Sequence, residues 1–556
     1  MTAAIYFHPE AYTTSGPTLM GRNAAGASFL RGLFNYREKG EFWIQVEERE
    51  HASIFDSEAR EAKRDEPVRA VDRSNLAELS QPGVLYYPGP DIANHAWLRS
   101  LHGHGLWSLC GVTHTTSSAR IMDAIAALLV APVQPWDALI CTSKAVKDNV
   151  RRVLAAQQEY LAARLHVGRV VLPQLPVIPL GIHTTDFEFS TEQRSRARLA
   201  LSLDEEDLAV LYVGRLSFHA KAHPLAMYQA LERAARNLPE GRRVVLIECG
   251  WHATDQVRKA YEQAARMACP SIRTIVLDGR VEHDRQVAWA VADVFCSLAD
   301  NIQESFGLTP IEAMAAGLPV VVSDWDGYRD SVRHGVDGFR IPTSMAAAGL
   351  GTDLAGYHAL KLDSYDMYCG HASSFVAVDI DATAAAFRQL FASAQLRQQM
   401  GEAGRQRARQ TYDWSAIIPR YEELWRHLTE LRVQQRSLIK ELKHPWPARM
   451  DPFAAFGAYP SSKLTPQSML VLARPDALQA LDDFVQLAMV KFAKQVLPTD
   501  AECRQILGQL VAAPQSAGDL VQCFPPRRQR VVFRGLIWLA KLGLVKFDQA
   551  GSVRDA

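Results

Sequence analysis

From the N-terminus to about residue 430, short apolar runs alternate with amphipathic helical stretches, and no other feature constrains the fold as much. Strand candidates in the first half are 3–7, 83–88, 107–113 and 138–142; in the second half they are 208–213, 243–248, 273–277, 293–298 and 319–323. Strands separated by helices pair in parallel through right-handed crossovers, and two such sets predict two Rossmann-like α/β domains. A cleft between two domains is the default place for a ligand. The seam falls at Val177-Ile178-Pro179-Leu180-Gly181-Ile182, where Pro and Gly punctuate an extended stretch. At 556 residues the chain is too long for one core, so two large domains and an appendage are expected.

The expected boundaries are 1–183 for the first domain and 184–430 for the second, which ends in a closing helix over 412–430. A linker follows over 431–466. Residues 467–556 are expected to form a small, mostly helical, winged-helix-like module, with helices near 500–512, 516–523 and 527–541 and a strand at Leu544-Val545-Lys546-Phe547. Acids and bases balance at 61 each, which argues against general nucleic-acid binding. Arg527-Arg528-Gln529-Arg530 therefore reads as a solvated helix start, and docking, including a homodimer contact, is the expected use of the module. No apolar run is long enough to span a bilayer, and residues 1–7 read as a first strand rather than a signal segment. The eight cysteines are scattered without a Cys-x-x-Cys pair, the pattern of reduced thiols in a cytoplasmic protein.

The chemistry concentrates in Glu304-Ser305-Phe306-Gly307-Leu308-Thr309-Pro310-Ile311-Glu312, two acids bracketing a Gly-containing loop and a helix start. Gly317-Leu318-Pro319 stops that helix before the strand Val320-Val321-Val322. Carboxylates at the mouth of such a βα crevice suit a hydroxyl-bearing ligand. Thr309 to Glu312 also reads as a capping box with Pro310 at the first helical position, a purely structural use for Glu312. Upstream, Val210-Leu211-Tyr212-Val213 leads into Gly214-Arg215-Leu216, a loop, Lys221 and a helix from Pro224. Two cations beside a helix N-terminus favour an anion, and charge-assisted hydrogen bonds of roughly 1.5–3 kcal/mol each suffice for a diphosphate.

In order along the chain, Gly214-Arg215-Leu216 with Lys221, Asp278-Gly279-Arg280-Val281, Ala292-Asp293-Val294-Phe295, the Glu304–Glu312 block and Ala315-Ala316-Gly317-Leu318-Pro319-Val320 resemble the donor domain of the retaining family 4 glycosyltransferases of the GT-B fold. The resemblance spans about 1–430 and is most specific over 205–343. It implies that Arg215 and Lys221 clamp the diphosphate of a UDP- or GDP-linked sugar and that Glu312 holds the ribose. It further implies that Glu304 and the backbone of Ser305, Phe306, Gly307 and Leu308 contact the sugar, with the backbone near Val281 against the base. In the first, acceptor-side domain, Gly16-Pro17-Thr18-Leu19-Met20-Gly21-Arg22 resembles the family's glycine-rich loop, where Gly21 and Arg22 would meet the diphosphate. His114, in Gly111-Val112-Thr113-His114-Thr115-Thr116, stands where the family has its catalytic histidine. Asp137-Ala138-Leu139-Ile140-Cys141-Thr142-Ser143 matches a later landmark, whereas His183 replaces a common acid.

The resemblance implies transfer to an acceptor hydroxyl with retained configuration, without a resident cofactor or metal. The expected setting is polysaccharide, glycolipid or other glycoconjugate biosynthesis in the cytoplasm, including the inner face of the membrane. The acceptor would be a glycan, a lipid-linked unit or a protein. Of the two Asp-x-Asp triplets, Asp324-Trp325-Asp326 follows a strand and Asp379-Ile380-Asp381 begins a helix; neither is expected to hold metal beside Arg215 and Lys221. Competing readings are a non-catalytic GT-B-like scaffold, a GT-B sugar-nucleotide epimerase or phosphorylase, and a two-carboxylate hydrolase. One departure from the family is large: about 343–375 forms an aromatic-containing insertion, expected to be an ordered lobe near the cleft or a contact surface.

Overall fold

The computed structural model describes residues 3–13, 21–168, 170–236, 238–239, 241–440 and 442–548. The chain forms two compact units, Met1–Pro447 and Ala448–Ala556. Within the first unit lie two six-stranded sheets, and every pairing in them is parallel. The first contains β1 (Ala4–Tyr6), β2 (Phe42–Gln45), β3 (Val68–Val71), β4 (Val84–Tyr86), β5 (Ser108–Val112) and β6 (Ala138–Ile140), in the order β3-β2-β1-β4-β5-β6. The second contains β7 (Leu208–Val213), β8 (Val244–Gly250), β9 (Arg273–Asp278), β10 (Val294–Ser297), β11 (Val320–Ser323) and β12 (Gly338–Ile341), in the order β12-β11-β10-β7-β8-β9. This is the two-Rossmann-domain architecture of the GT-B fold.

Helices cover both faces of each sheet, so successive strand residues enter opposite cores. On β5, Cys110 and Val112 join the core with Phe29 and Trp425, whereas Leu109 joins the one with Ile125 and Val146. Burial on both faces explains the nearly continuous apolar runs that made these strands visible in sequence. Helix Trp414–Gln435 follows the second domain in the chain but packs into the first domain's core through Trp414, Ile417, Tyr421, Trp425 and Leu428. The Trp414 indole donates to Ser28 Oγ at 2.7 Å. The backbone at Ile182 is tied to the start of this helix, with Ile182 N donating to Tyr412 O at 2.8 Å and Trp414 N to Ile182 O at 3.1 Å. Next to this seam, His183 is buried with Nε2 3.2 Å from Ser28 O, and burial lowers its pKa.

The insertion is ordered. It leaves the second domain as β13 (Thr343–Met345), carries helices Thr352–Ala359 and Tyr365–Ser373, and returns as β14 (Val376–Val378), antiparallel to β13. The second compact unit has a three-stranded antiparallel sheet, β15 (Met469–Leu472), β16 (Gln515–Ser516) and β17 (Val545–Phe547), in the order β16-β15-β17. Helices Asp500–Ala512, Ala517–Gln522 and Pro526–Lys541 close its core, giving the winged-helix-like arrangement. Thr499 and Glu502 form a true capping box there, and Arg528 grips Glu502 through two 2.8 Å bonds, so that arginine is committed to structure. All eight cysteines are free thiols, seven of them buried. No described helix is long and apolar enough to cross a membrane.

Candidate functional site

The carboxyl ends of β5 and β6 in the first sheet face those of β10 and β11 in the second, and four contacts between the domains define the cleft. Ser305 Oγ donates to the His114 carbonyl at 2.7 Å, and Ser143 Oγ donates to Asp326 at 2.9 Å. The Lys144 amide donates to Asp330 at 2.7 Å, and the Tyr365 and Ser117 hydroxyls lie 3.0 Å apart. Loops beyond strand ends are where open α/β sheets bind ligands.

The Glu304–Glu312 block lies on the second-domain side. Its helix, Leu308–Ala315, starts from Gly307, which has φ of 79° and no side-chain cap. A side chain at Gly307 would enter the left-handed region and collide with the Tyr328 ring, so only glycine fits this turn. The capping-box expectation is therefore corrected. The helix begins before Thr309, Pro310 lies past the first helical position, and Glu312 is too deep in the helix to close an N-terminal donor. The stop is as expected: Gly317 has φ of 79°, and Gly317 N and Leu318 N bond back to Met314 O and Ala313 O at 2.9 Å each. Phe306 is buried against the core and Leu308 packs partly into it, leaving backbone rather than side chains to face a ligand.

Glu304 and Lys221 come together across the crevice, Nζ to Oε2 at 3.8 Å, with side chains 17 % and 35 % exposed. Such a loose, partly exposed pair contributes only about 0–1 kcal/mol. Arg215 has no ion-pair partner among the described residues; its Nη2 donates at 3.3 Å to the Ala220 carbonyl and to Gln303 Oε1. By contrast, Arg99 is strongly paired, gripping Asp137 at 2.6 and 2.7 Å with both side chains wholly buried. That pair also gives the Asp137 landmark a structural role, since Asp137 accepts from the Leu109 and Gln134 amides as well. Among the described residues, Arg215 and Lys221 leave most of their hydrogen-bonding capacity unused.

Asn301, which sequence reasoning missed, organises this corner. Its Nδ2 donates to His219 O at 2.9 Å, its Oδ1 accepts from Gln303 N at 2.9 Å, and its carbonyl accepts from the Trp325 indole at 3.0 Å. The residue is almost fully buried, so it ties the 217–221 loop to the Glu304 loop. Asp324 and Asp326 diverge: Asp324 lies 3.4 Å from Arg340 and 3.8 Å from Arg329, while Asp326 takes the Ser143 hydroxyl. Burial raises the Asp326 carboxyl to about 7, the Ser143 bond offsetting part of the rise.

Glu312 lies on helix Leu308–Ala315. Burial pushes its carboxyl to about 7, the Arg285 charge working against that rise. Among the described residues no donor hydrogen-bonds to it. Arg285 Nη1 donates to Gly279 O at 2.9 Å, and Val281, at the start of that helix, is 46 % exposed. Arg285 thus links the charge environment of Glu312 to the Gly279 turn. His114 follows β5 directly and is half-buried. Gly16 to Met20 lie outside the described residues, and at Gly21 and Arg22 only the backbone, the start of helix Gly21–Tyr36, is described.

The facing strand ends of the two α/β domains thus carry cations and carboxylates. Residues 193–351, which carry Arg215, Lys221, Glu304 and Glu312, match the family model for glycosyl transferases group 1. The chain is 26% identical over 253 residues to a D-inositol 3-phosphate glycosyltransferase of Mycobacterium sp. (strain KMS), covering 44% of this chain and 54% of that protein. It is 32% identical over 181 residues to a phosphatidyl-myo-inositol mannosyltransferase of Mycobacterium tuberculosis (strain ATCC 25618 / H37Rv), covering 32% of this chain and 43% of that protein. The chain thus spans about half the length of these curated relatives. The crystal structure of Anabaena Alr3699/HepE in complex with UDP aligns with 77% of this chain and 100% of its own, at 16% identity and a TM-score of 0.47.

Proposed function

We propose that the protein is a retaining, metal-independent glycosyltransferase that moves a sugar from a UDP- or GDP-linked donor to an acceptor hydroxyl. The observation that carries this reading is the pair of positioned but uncommitted cations, Arg215 and Lys221, beside Glu304 at the cleft. The diphosphate binds these two groups, the ribose hydroxyls bind Glu312, and the base lies against 279–285. Glu304 and the backbone of Ser305 to Leu308 hold the sugar, and His114 hydrogen-bonds one of its hydroxyls. The bond from the anomeric carbon to the phosphate oxygen breaks, and the acceptor oxygen bonds that carbon from the same face. Its proton passes to the departing phosphate oxygen. The protein's contribution is preorganised positive charge on the leaving group together with orientation.

The names of the relatives, a D-inositol 3-phosphate glycosyltransferase and a phosphatidyl-myo-inositol mannosyltransferase, support glycoconjugate or glycolipid synthesis as the setting. Incubating the purified protein with a panel of UDP- and GDP-linked sugars, in the presence of a metal chelator, tests the proposal. Nucleoside diphosphate should be released from at least one donor, as seen by mass spectrometry. Release from none would overturn it.

A further inference from the structure

The lobe inserted after β12 reaches both sides of the cleft. At its root, Thr343 Oγ1 donates to Asp324 O at 3.1 Å and Asp379 N donates to Pro342 O at 3.0 Å, fixing both legs to the second domain. Helix Tyr365–Ser373, capped by Ser364 through the Met367 amide, then lies against the cation-bearing loop. A Cβ on Gly370 would stand 3.0 Å from His219 Cβ and 3.1 Å from the His219 carbonyl, so any larger residue there would crowd the loop. At the start of the same helix, the Tyr365 hydroxyl lies 3.0 Å from Ser117 Oγ and 3.5 Å from Thr115 Oγ1, with the Gln303 amide also beside it. Thr115 and Ser117 closely follow His114, and Gln303 is the Arg215 partner. One helix therefore joins the loop that holds the cations to the strand end that holds His114. Cys369, one turn along and fully buried, faces the same cluster.

We propose that this lobe is the acceptor-side wall of the cleft, and that Tyr365 is the positioning residue which pins the wall to Ser117 and Thr115 over the reacting sugar. Three hydroxyls and an amide converge at that point, a set able to exchange partners with an incoming acceptor hydroxyl while leaving little room for unordered water. The inference rests on the glycosyl-transfer reading. Loss of the pin lets the wall lift and admits water to the donor.

The test uses the full-length protein with Tyr365→Phe, which keeps the ring, and Tyr365→Ala. Each is assayed for nucleoside diphosphate released from the active nucleotide sugar with water as sole acceptor, and for nucleotide affinity by calorimetry. Donor hydrolysis should rise roughly three- to tenfold, the scale of one neutral hydrogen bond, with nucleotide affinity kept within about twofold of wild type. Unchanged hydrolysis in both variants with nucleotide binding intact would overturn the role of Tyr365 alone. Failure of the wild type to bind any nucleotide would remove the earlier reading, and this one with it.

Discussion

Lys221→Ala is expected to lower kcat/KM for the nucleotide sugar about 10- to 150-fold, and Arg215→Ala by a comparable factor. The range follows from the roughly 1.5–3 kcal/mol that one charge-assisted hydrogen bond to phosphate contributes. Both residues cost the free protein little when removed, because neither is spent on a strong partner. Lys221 faces Glu304 at 3.8 Å, and Arg215 makes only 3.3 Å bonds to neutral oxygens. Thermal unfolding of the variants should therefore change far less than turnover does. The loss should appear in kcat as well as KM, since negative charge on the phosphate grows as the glycosyl bond breaks. The double variant should lose less than the product of the single losses, since both groups act on one diphosphate. Lys221→Arg is not a safe replacement, because a planar fork and a compact ammonium present charge differently. Steady-state kinetics over donor concentration check each point.

The second large effect concerns Glu312 and has a pH signature. Its carboxyl titrates near 7 because burial disfavours the ionised form. Ribose hydroxyls donate more strongly to a carboxylate than to the neutral acid, so donor affinity should rise as pH increases through about 7. The intact nucleotide sugar is the right probe, because its diphosphate does not titrate in that window. Glu312→Gln should weaken donor binding about 10-fold or more and flatten this pH dependence. The stability effect has the opposite direction. The folded carboxyl keeps its proton to higher pH than the unfolded one, so its contribution to stability falls as pH rises from about 4.5 to about 7. Calorimetric titrations at several pH values, with wild type and variant side by side, measure the first effect directly. An identical slope in Glu312→Gln would assign the titration to another group.

The central strands could be read from the chain because parallel strands buried on both faces leave uninterrupted apolar runs, as in Leu208–Val213 or in Val320-Val321-Val322. What sequence reading passed over lies toward the margins. Strands β3 and β12 are outermost in their sheets, and β2 lies next to β3. Arg69 and Ala70 of β3 are exposed, and β12 includes the half-buried Arg340. An outer strand with exposed or polar side chains has a broken apolar pattern that merges with neighbouring loops, whereas β6, also outermost but wholly buried, stayed legible. Helix Trp414–Gln435 was visible as an amphipathic stretch, but the destination of its apolar face, the first domain's core, is a long-range fact that spacing alone does not reveal. The same holds for the site. Its charged members stand out as local motifs, whereas Asn301, Gln303 and Tyr365 matter only because the fold brings distant loops together. The Thr309–Glu312 pattern shows the reverse error: a local signature for a cap, set aside by a glycine turn that starts the helix earlier.

A crystal structure of the protein soaked with the nucleotide sugar it turns over tests the central claim most directly. Diphosphate oxygens are expected within hydrogen-bond distance of Arg215 and Lys221, ribose hydroxyls on Glu312, and the sugar between Glu304 and His114. A nucleotide bound away from Arg215 and Lys221, with those two side chains directed into bulk water, would contradict it.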